Sequence, residues 1–447
     1  MKPGFLLFCL LVSVSASSLI AEPLFPTSDL WKSPQFRRVV TGSYGIDSRI
    51  EPLITIDEEE YLREAANLLA NKDREGAIEL YEGASILPES PAMLFSLASL
   101  KFEEGEFDEA RESFDAALES FPNFRDAHRN LAMTLIQLDE MEDAETSLIR
   151  AVELGAQDGV TLGLLGYCHA SDGDFQAALQ SYRQAQITMP AELEWKLGEA
   201  RCLRELGLTK IAVGLYRELL KELPTNSSLW LNLAFSLQQL EDDQGAIHAL
   251  EVARSLGEIN AGSLLALGHL YLGQSLPEEA LLAYQSSLEK EPSASENEAT
   301  EALRYLVDYN HYTQAKSLDQ LITLRHPESN DARRPRLQAL IEFETGDPDK
   351  AIESIRAVVE KDPLDGESLL VLAKFLTSRE KSLEAELILE QAALIPDHAA
   401  DAYFRMGELL VDRGAYKEAI DKLAQAQAID PRPTVETYLE AVRELVN

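Results

Sequence analysis

Apolar and small residues in this chain recur in one phrase. An Ala is followed four residues later by an aromatic residue or Leu, three further on by a small residue, and often by a Pro five beyond that. Ala110, Phe114, Ala117 and Pro122 form one copy, and Ala178, Tyr182, Ala185 and Pro190 another. Ala280, Tyr284, Ser287 and Pro292 form a third, and Ala419, Leu423, Ala426 and Pro431 a fourth. The leading alanines are Ala77, Ala110, Ala144, Ala178, Ala212, Ala246, Ala280, Ala315, Ala351, Ala385 and Ala419, spaced 33 to 36 residues apart and mostly 34. Steps of three and four place residues on one face of a helix, so each copy predicts a helix, here called B. Twelve residues upstream of an alanine stands a second phrase: Leu165-Gly166, Leu267-Gly268 and Met406-Gly407, or with Ala for Gly, Leu97-Ala98, Leu131-Ala132, Leu233-Ala234 and Leu372-Ala373. A large residue often stands three before it, as at Leu162, Trp230, Leu264 and Tyr403, and another often follows, as at Tyr271 and Leu410. This phrase predicts a helix A ahead of each helix B.

The small residues let the paired helices approach closely, and the aromatic residue of helix B fills the gap toward the next pair. Pro ends a helix, so it belongs between pairs. Turns inside pairs are marked by Glu104-Gly105-Glu106, Ser171-Asp172-Gly173-Asp174, Thr345-Gly346-Asp347-Pro348 and Asp412-Arg413-Gly414. Eleven units follow, at 57–89, 90–123, 124–157, 158–191, 192–225, 226–259, 260–293, 294–328, 329–364, 365–398 and 399–432. The eighth and ninth lack the Leu-Gly phrase, and Pro335 falls where a helix A should begin, so a change of curvature or a joint is expected there. Residues 433–447 predict a capping helix, with Thr434 as its N-cap and Glu436, Glu440, Arg443 and Glu444 on its polar face.

Over residues 57–431 this pattern resembles the tetratricopeptide repeat, W-x2-L-G-x2-Y, then A-x3-F, then P. The resemblance implies an all-α fold: a right-handed superhelical solenoid of about eleven helix-turn-helix units with a C-terminal capping helix. It also implies a binding surface on the inner, concave side lined by A helices. The family's inward positions fall here on Arg129, Met133, Tyr167, Arg201, Arg204, Leu231, Phe235, Gln238 and His269. Arg and aromatic residues are common anchors of protein interfaces. The family's carboxylate clamp of Lys and Asn is not recognisable.

The first 21 residues read as a signal peptide. Lys2 precedes the apolar run Phe5–Val14, and small residues follow, with a cut after Ala16 or Ala21. The run is too short to span a bilayer, so an exported, periplasmic protein is expected. Residues 22–56 form a non-repeating arm with four acids and four bases. Its Trp31, Phe36, Arg37 and Tyr44 are candidate docking residues. The succession of leader, Leu30-Trp31 with Pro34 and Phe36, Gly42-Ser43-Tyr44-Gly45 and a long array resembles exported repeat proteins that accompany TonB-type energy transducers.

Charge narrows the partners. The chain has 447 residues and a net charge of −37, which disfavours nucleic acid and anionic lipid. The arm is neutral, while residues 57–447, with 73 acids and 35 bases, carry −38. Cys168 and Cys202 occupy one position in neighbouring pairs. Stacked helices lie about 8–10 Å apart and a disulfide needs about 7 Å or less, so two free thiols are expected. The seven histidines show no metal-ligand spacing, and His169 beside Cys168 points elsewhere on its helix. No nucleophile elbow, P-loop or dinucleotide fingerprint occurs, so neither cofactor nor catalytic site is expected. The sequence reading is a scaffold holding a peptide or helix of another cell-envelope protein. Its alternatives are a substrate-selecting subunit of an envelope enzyme complex, and an adaptor in outer-membrane assembly or polysaccharide export.

Overall fold

The computed structural model describes residues 47–257, 259–290, 296–326 and 331–446. The expected leader and the arm residues Trp31, Phe36, Arg37 and Tyr44 lie outside the described residues.

The first unit, residues 47–257, holds six helix pairs. They are α1 (Ile56–Ala70) and α2 (Arg74–Glu82), α3 (Pro91–Glu104) and α4 (Phe107–Ser120), α5 (Arg125–Gln137) and α6 (Met141–Glu153). Next come α7 (Gly159–Ser171) and α8 (Phe175–Thr188), α9 (Leu193–Glu205) and α10 (Thr209–Glu222), α11 (Ser227–Gln239) and α12 (Asp243–Ser255). The second unit, residues 259–446, holds five pairs and a last helix. They are α13 (Ala261–Gly273) and α14 (Pro277–Lys290), α15 (Glu296–Asp308) and α16 (Tyr312–Arg325), α17 (Arg333–Thr345) and α18 (Pro348–Lys361). After them come α19 (Gly366–Ser378) and α20 (Ser382–Ala393), α21 (Ala399–Asp412) and α22 (Tyr416–Ile429), and finally α23 (Pro433–Glu444). Odd-numbered helices through α21 are A helices and even-numbered ones B helices, as the 34-residue pattern predicts.

All eleven leading alanines of the B helices are 0% exposed, as the close helix contact requires. The aromatic residue of helix B lies against glycines of two A helices. A Cβ at Gly166, in its own pair, would sit 3.0 Å from the Tyr182 ring, and one at Gly198, in the next pair, 2.4 Å. The ring thus joins consecutive pairs. Ten of the eleven A-to-B turns share a left-handed residue at the same register: Lys72, Gly105, Asp139, Gly173, Gly207, Glu241, Ser275, Asn310, Glu380 and Gly414, with φ from 59° to 86°. Helix starts are closed by local acceptors, as where Asp158 accepts from the Val160 and Thr161 amides, and where Thr55 and Glu58 form a capping box on α1.

One local expectation, the cap of the last helix, is corrected. The boundary between the two compact units falls between Gly257 and Ile259. The eighth pair is irregular, since its B helix α16 packs on the B helix α14 before it. Pro335 does not delay α17, which starts at Arg333, because a first-turn Pro removes an amide that has no helical partner anyway. For the same reason α23 starts on Pro433, with Arg432 rather than Thr434 in the cap position and no side-chain cap bond.

Candidate functional site

Successive A helices touch one another, as α3 and α5, α7 and α9, and α19 and α21 do. Among the described B helices, α14 and α16 pack on each other in the same way. Within each unit the A helices therefore form the tighter, inner layer, and the candidate residues lie on it.

At the third pair the inner layer is an ionic cluster. The end of the arm rests here, because the Arg125 amide donates to the Ile50 carbonyl at 3.2 Å. The Arg125 guanidinium stands 3.7 Å from the buried Glu51 carboxylate and donates to Asp126 at 3.1 Å. Arg129 is 6% exposed and lies 3.4 Å from Asp126 and 3.8 Å from Asp158. Burial lowers its pKa from the ordinary arginine value, while the two carboxylates oppose that shift.

The nine predicted residues divide by access. Met133 is 1% exposed and Tyr167 8%, both in the core cluster with Phe95, Phe114, Phe124 and Trp195. Leu231 is buried as well. Arg204 is 4% exposed and ties the fifth pair to the sixth. Its guanidinium donates to the Asn232 side chain at 3.0 Å and to Glu205 at 2.5 Å, and stacks 4.8 Å from the Phe235 ring centre. Arg129, Met133, Tyr167, Arg204 and Leu231 are thus packing residues rather than accessible anchors. Arg201, Phe235 and Gln238 are half-buried and share the inner layer of the fifth and sixth pairs. The Arg201 Nε finds no acceptor among the described residues.

His269 belongs to the second unit. Its Nδ1 pairs with the Tyr284 hydroxyl at 2.7 Å, and its ring lies 4.2 Å from that of Tyr305. Burial lowers its pKa to about 4. Cys168 and Cys202 are buried and unbridged, and burial pushes both thiols up to about 12.

Two features escaped the sequence pattern. Trp195, 1% exposed, occupies the space left by Gly163, where a Cβ would come within 2.5 Å of its ring. An open inner surface of about 300 Å³ lies in the tenth and eleventh pairs, lined by Lys374, Thr377, Arg405, Glu408 and Asp412 among others. The family register applied to Leu372-Ala373 and Met406-Gly407 would have pointed there.

Tetratricopeptide repeat family models match residues 68–123, 101–161 and 336–398. The matched segments are tetratricopeptide repeats. The chain is 26% identical over 176 residues to the N-terminal acetyltransferase A complex auxiliary subunit NAA15 of Arabidopsis thaliana, a stretch covering 38% of this chain and 19% of that protein. It thus spans about a fifth of the length of that relative. Among solved structures it is similar to PilF of Pseudomonas aeruginosa, with 20% identity, 47% of this chain and 95% of that one covered, and a TM-score of 0.40. It is also similar to YrrB, described as a TPR protein with an unusual peptide-binding site, with 18% identity, coverage of 40% and 92%, and a TM-score of 0.38. No described helix is long and apolar enough to cross a membrane.

Proposed function

We propose that this protein is an exported, non-catalytic scaffold that seats a peptide or helix of a cell-envelope partner on the A helices of its fifth and sixth pairs. The observation that carries this reading is the half-buried group of Arg201, Phe235 and Gln238. There the half-buried Phe235 ring is braced by the Arg204 guanidinium, and the half-buried Arg201 and Gln238 lie on the same two A helices. Such a site offers a segment both an apolar anchor and a donor for a carboxylate or carbonyl. The leader-like run Phe5–Val14 supports export to the periplasm, and the residues of the arm support a link to a TonB-type system.

Replacing Arg201, Phe235 and Gln238 together by Ala is expected to abolish capture of the native partner while far-ultraviolet circular dichroism stays unchanged. Undiminished capture removes the assignment. Arg204 stays intact in this variant, because its loss would strand Asn232 and Glu205 and confound binding with folding.

The similarity to an acetyltransferase auxiliary subunit favours a second reading, in which the chain is the substrate-selecting subunit of an envelope enzyme complex. Co-purification of a catalytic subunit separates this reading from the first. Adaptors of outer-membrane assembly or polysaccharide export would instead bring down export channels.

A further inference from the structure

We propose that the outer face of α20, the B helix of the tenth pair, docks an amphipathic helix of another protein that sets a Lys or Arg against Glu390. Register singles this face out. Counted from the leading alanine of helix B, the outward positions two before, two after and nine after hold Leu383, Leu387 and Leu394 in the tenth pair. They are 75%, 61% and 83% exposed. At these steps along a helix the three leucines lie within about 40° of one another and span about 16 Å of its length. No other pair has more than one apolar residue at these positions: Ile86, Ile187, Leu282, Leu324 and Ala428 each stand alone in a different pair. The neighbouring B helices place Asp349, Glu353 and Glu360 there on α18, and Lys417 and Asp421 on α22. Single exposed apolar residues are ordinary, whereas an apolar stripe with a polar rim marks an interaction surface.

Charge says what covers the stripe. Glu390 stands between Leu387 and Leu394 on the same face, is exposed, and makes no ion pair among the described residues. The other acids of α20 are engaged: Glu384 pairs with Arg356 of α18 at 2.5 Å, and Glu386 with Arg413 at 2.6 Å. A second copy of this chain does not satisfy Glu390. Laid parallel, leucine on leucine, it sets Glu390 against Glu390. Laid antiparallel, with Leu383 over Leu394 of the other copy, it sets each Glu390 beside a Leu387 and covers both carboxylates without a counter-ion. An ammonium or guanidinium from a different protein satisfies it. Residues 57–447, at −38, also attract a cationic segment and repel an anionic one. A helix fits the stripe because its own apolar ridge repeats at the same three- and four-residue steps. The stripe lies on an outer helix of the second unit, so the inference does not rest on the seat at Arg201, Phe235 and Gln238.

The test places a photo-crosslinking phenylalanine at Leu387 of the full-length chain in living cells and sequences the linked peptide by mass spectrometry. The expected adduct is to a peptide of another protein with apolar residues at three- and four-residue steps and a Lys or Arg among them. Glu390→Lys is expected to lower its yield at least about tenfold, and so is Leu383→Gln combined with Leu394→Gln. The replaced side chains are exposed, so circular dichroism and melting temperature should stay those of the parent. Arg201, Phe235 and Gln238 are intact in these variants, so failure of that seat and failure of the stripe are read separately. Links to a second copy, links within the chain, no link, a linked peptide without a cation, or an undiminished yield from Glu390→Lys overturn the proposal. Sedimentation equilibrium of the purified protein gives a second reading. A parent that dimerises where the Leu383→Gln and Leu394→Gln variant stays monomeric makes the stripe a self-association face and overturns the proposal as well.

Discussion

Gly268 and Gly214 both lie inside helices, and alanine should act on them in opposite directions. An exposed helical Gly→Ala change gains about 0.5–1 kcal/mol. Nothing lies within 4 Å of a Cβ at Gly214, so Gly214→Ala should raise the urea midpoint accordingly. At Gly268 the new Cβ would sit 2.3 Å from the Tyr284 ring, and overpacking costs about 1–3 kcal/mol. Gly268→Ala should therefore lower the midpoint, and a gain there would remove the ring from its assigned place. The hydroxyl of the same ring pairs with His269, which titrates abnormally. Burial lowers this histidine from its ordinary 6.5 to about 4, so the unfolded chain binds its proton more readily than the folded one. Its contribution is complete above pH 6.5 and is lost as pH falls from there through 4. Glu301, the carboxylate packed nearby, has a lowered pKa and also costs stability in acid, so the comparison must be differential. His269→Gln should flatten the fall of melting temperature between pH 6.5 and 4 relative to the parent, and an unchanged slope contradicts the buried neutral imidazole.

The turn between helices A and B shows how much of each element could be read in advance. Gly105, Gly173 and Gly414 announced their turns, because glycine takes positive φ without a Cβ clash. Glu241 and Glu380 take φ of 59° and 60° and announced nothing. There the close packing of the pair imposes a conformation the residue itself resists, by about 1–2 kcal/mol. Glu241→Gly or Glu380→Gly should accordingly stabilise the protein by up to about 1 kcal/mol in denaturant unfolding, after the extra chain entropy of glycine is subtracted. A loss would mean that the side chain does more at the turn than its backbone angle suggests. The buried alanines were legible because periodicity reports a face. Access was not legible, because register says nothing about what covers that face: Met133 and Lys374 hold one register position, and only Lys374 reaches solvent. Of the nine inner residues Arg129, Met133, Tyr167, Arg204 and Leu231 are buried, while Arg201, Phe235 and Gln238 are half-buried.

At the scale of the whole molecule residues 57–447 carry the net negative charge, while residues 22–56 are neutral. A net charge of −37 sets the background against which a cationic and aromatic group stands out. Stacked repeats contact only their neighbours, so a change in one pair acts locally and a binding surface can be tested pair by pair. That property makes a positional crosslink the most direct measurement of the central claim. A photo-crosslinking residue at Phe235 in living cells should capture one cell-envelope protein, identified by mass spectrometry. The adduct should disappear when Arg201 is replaced by Ala, and it should not form from Leu282, which is 56% exposed on a B helix. Adducts with cytoplasmic proteins only, equal adducts from both positions, or none from Phe235 would contradict an exported scaffold that holds its partner on this surface.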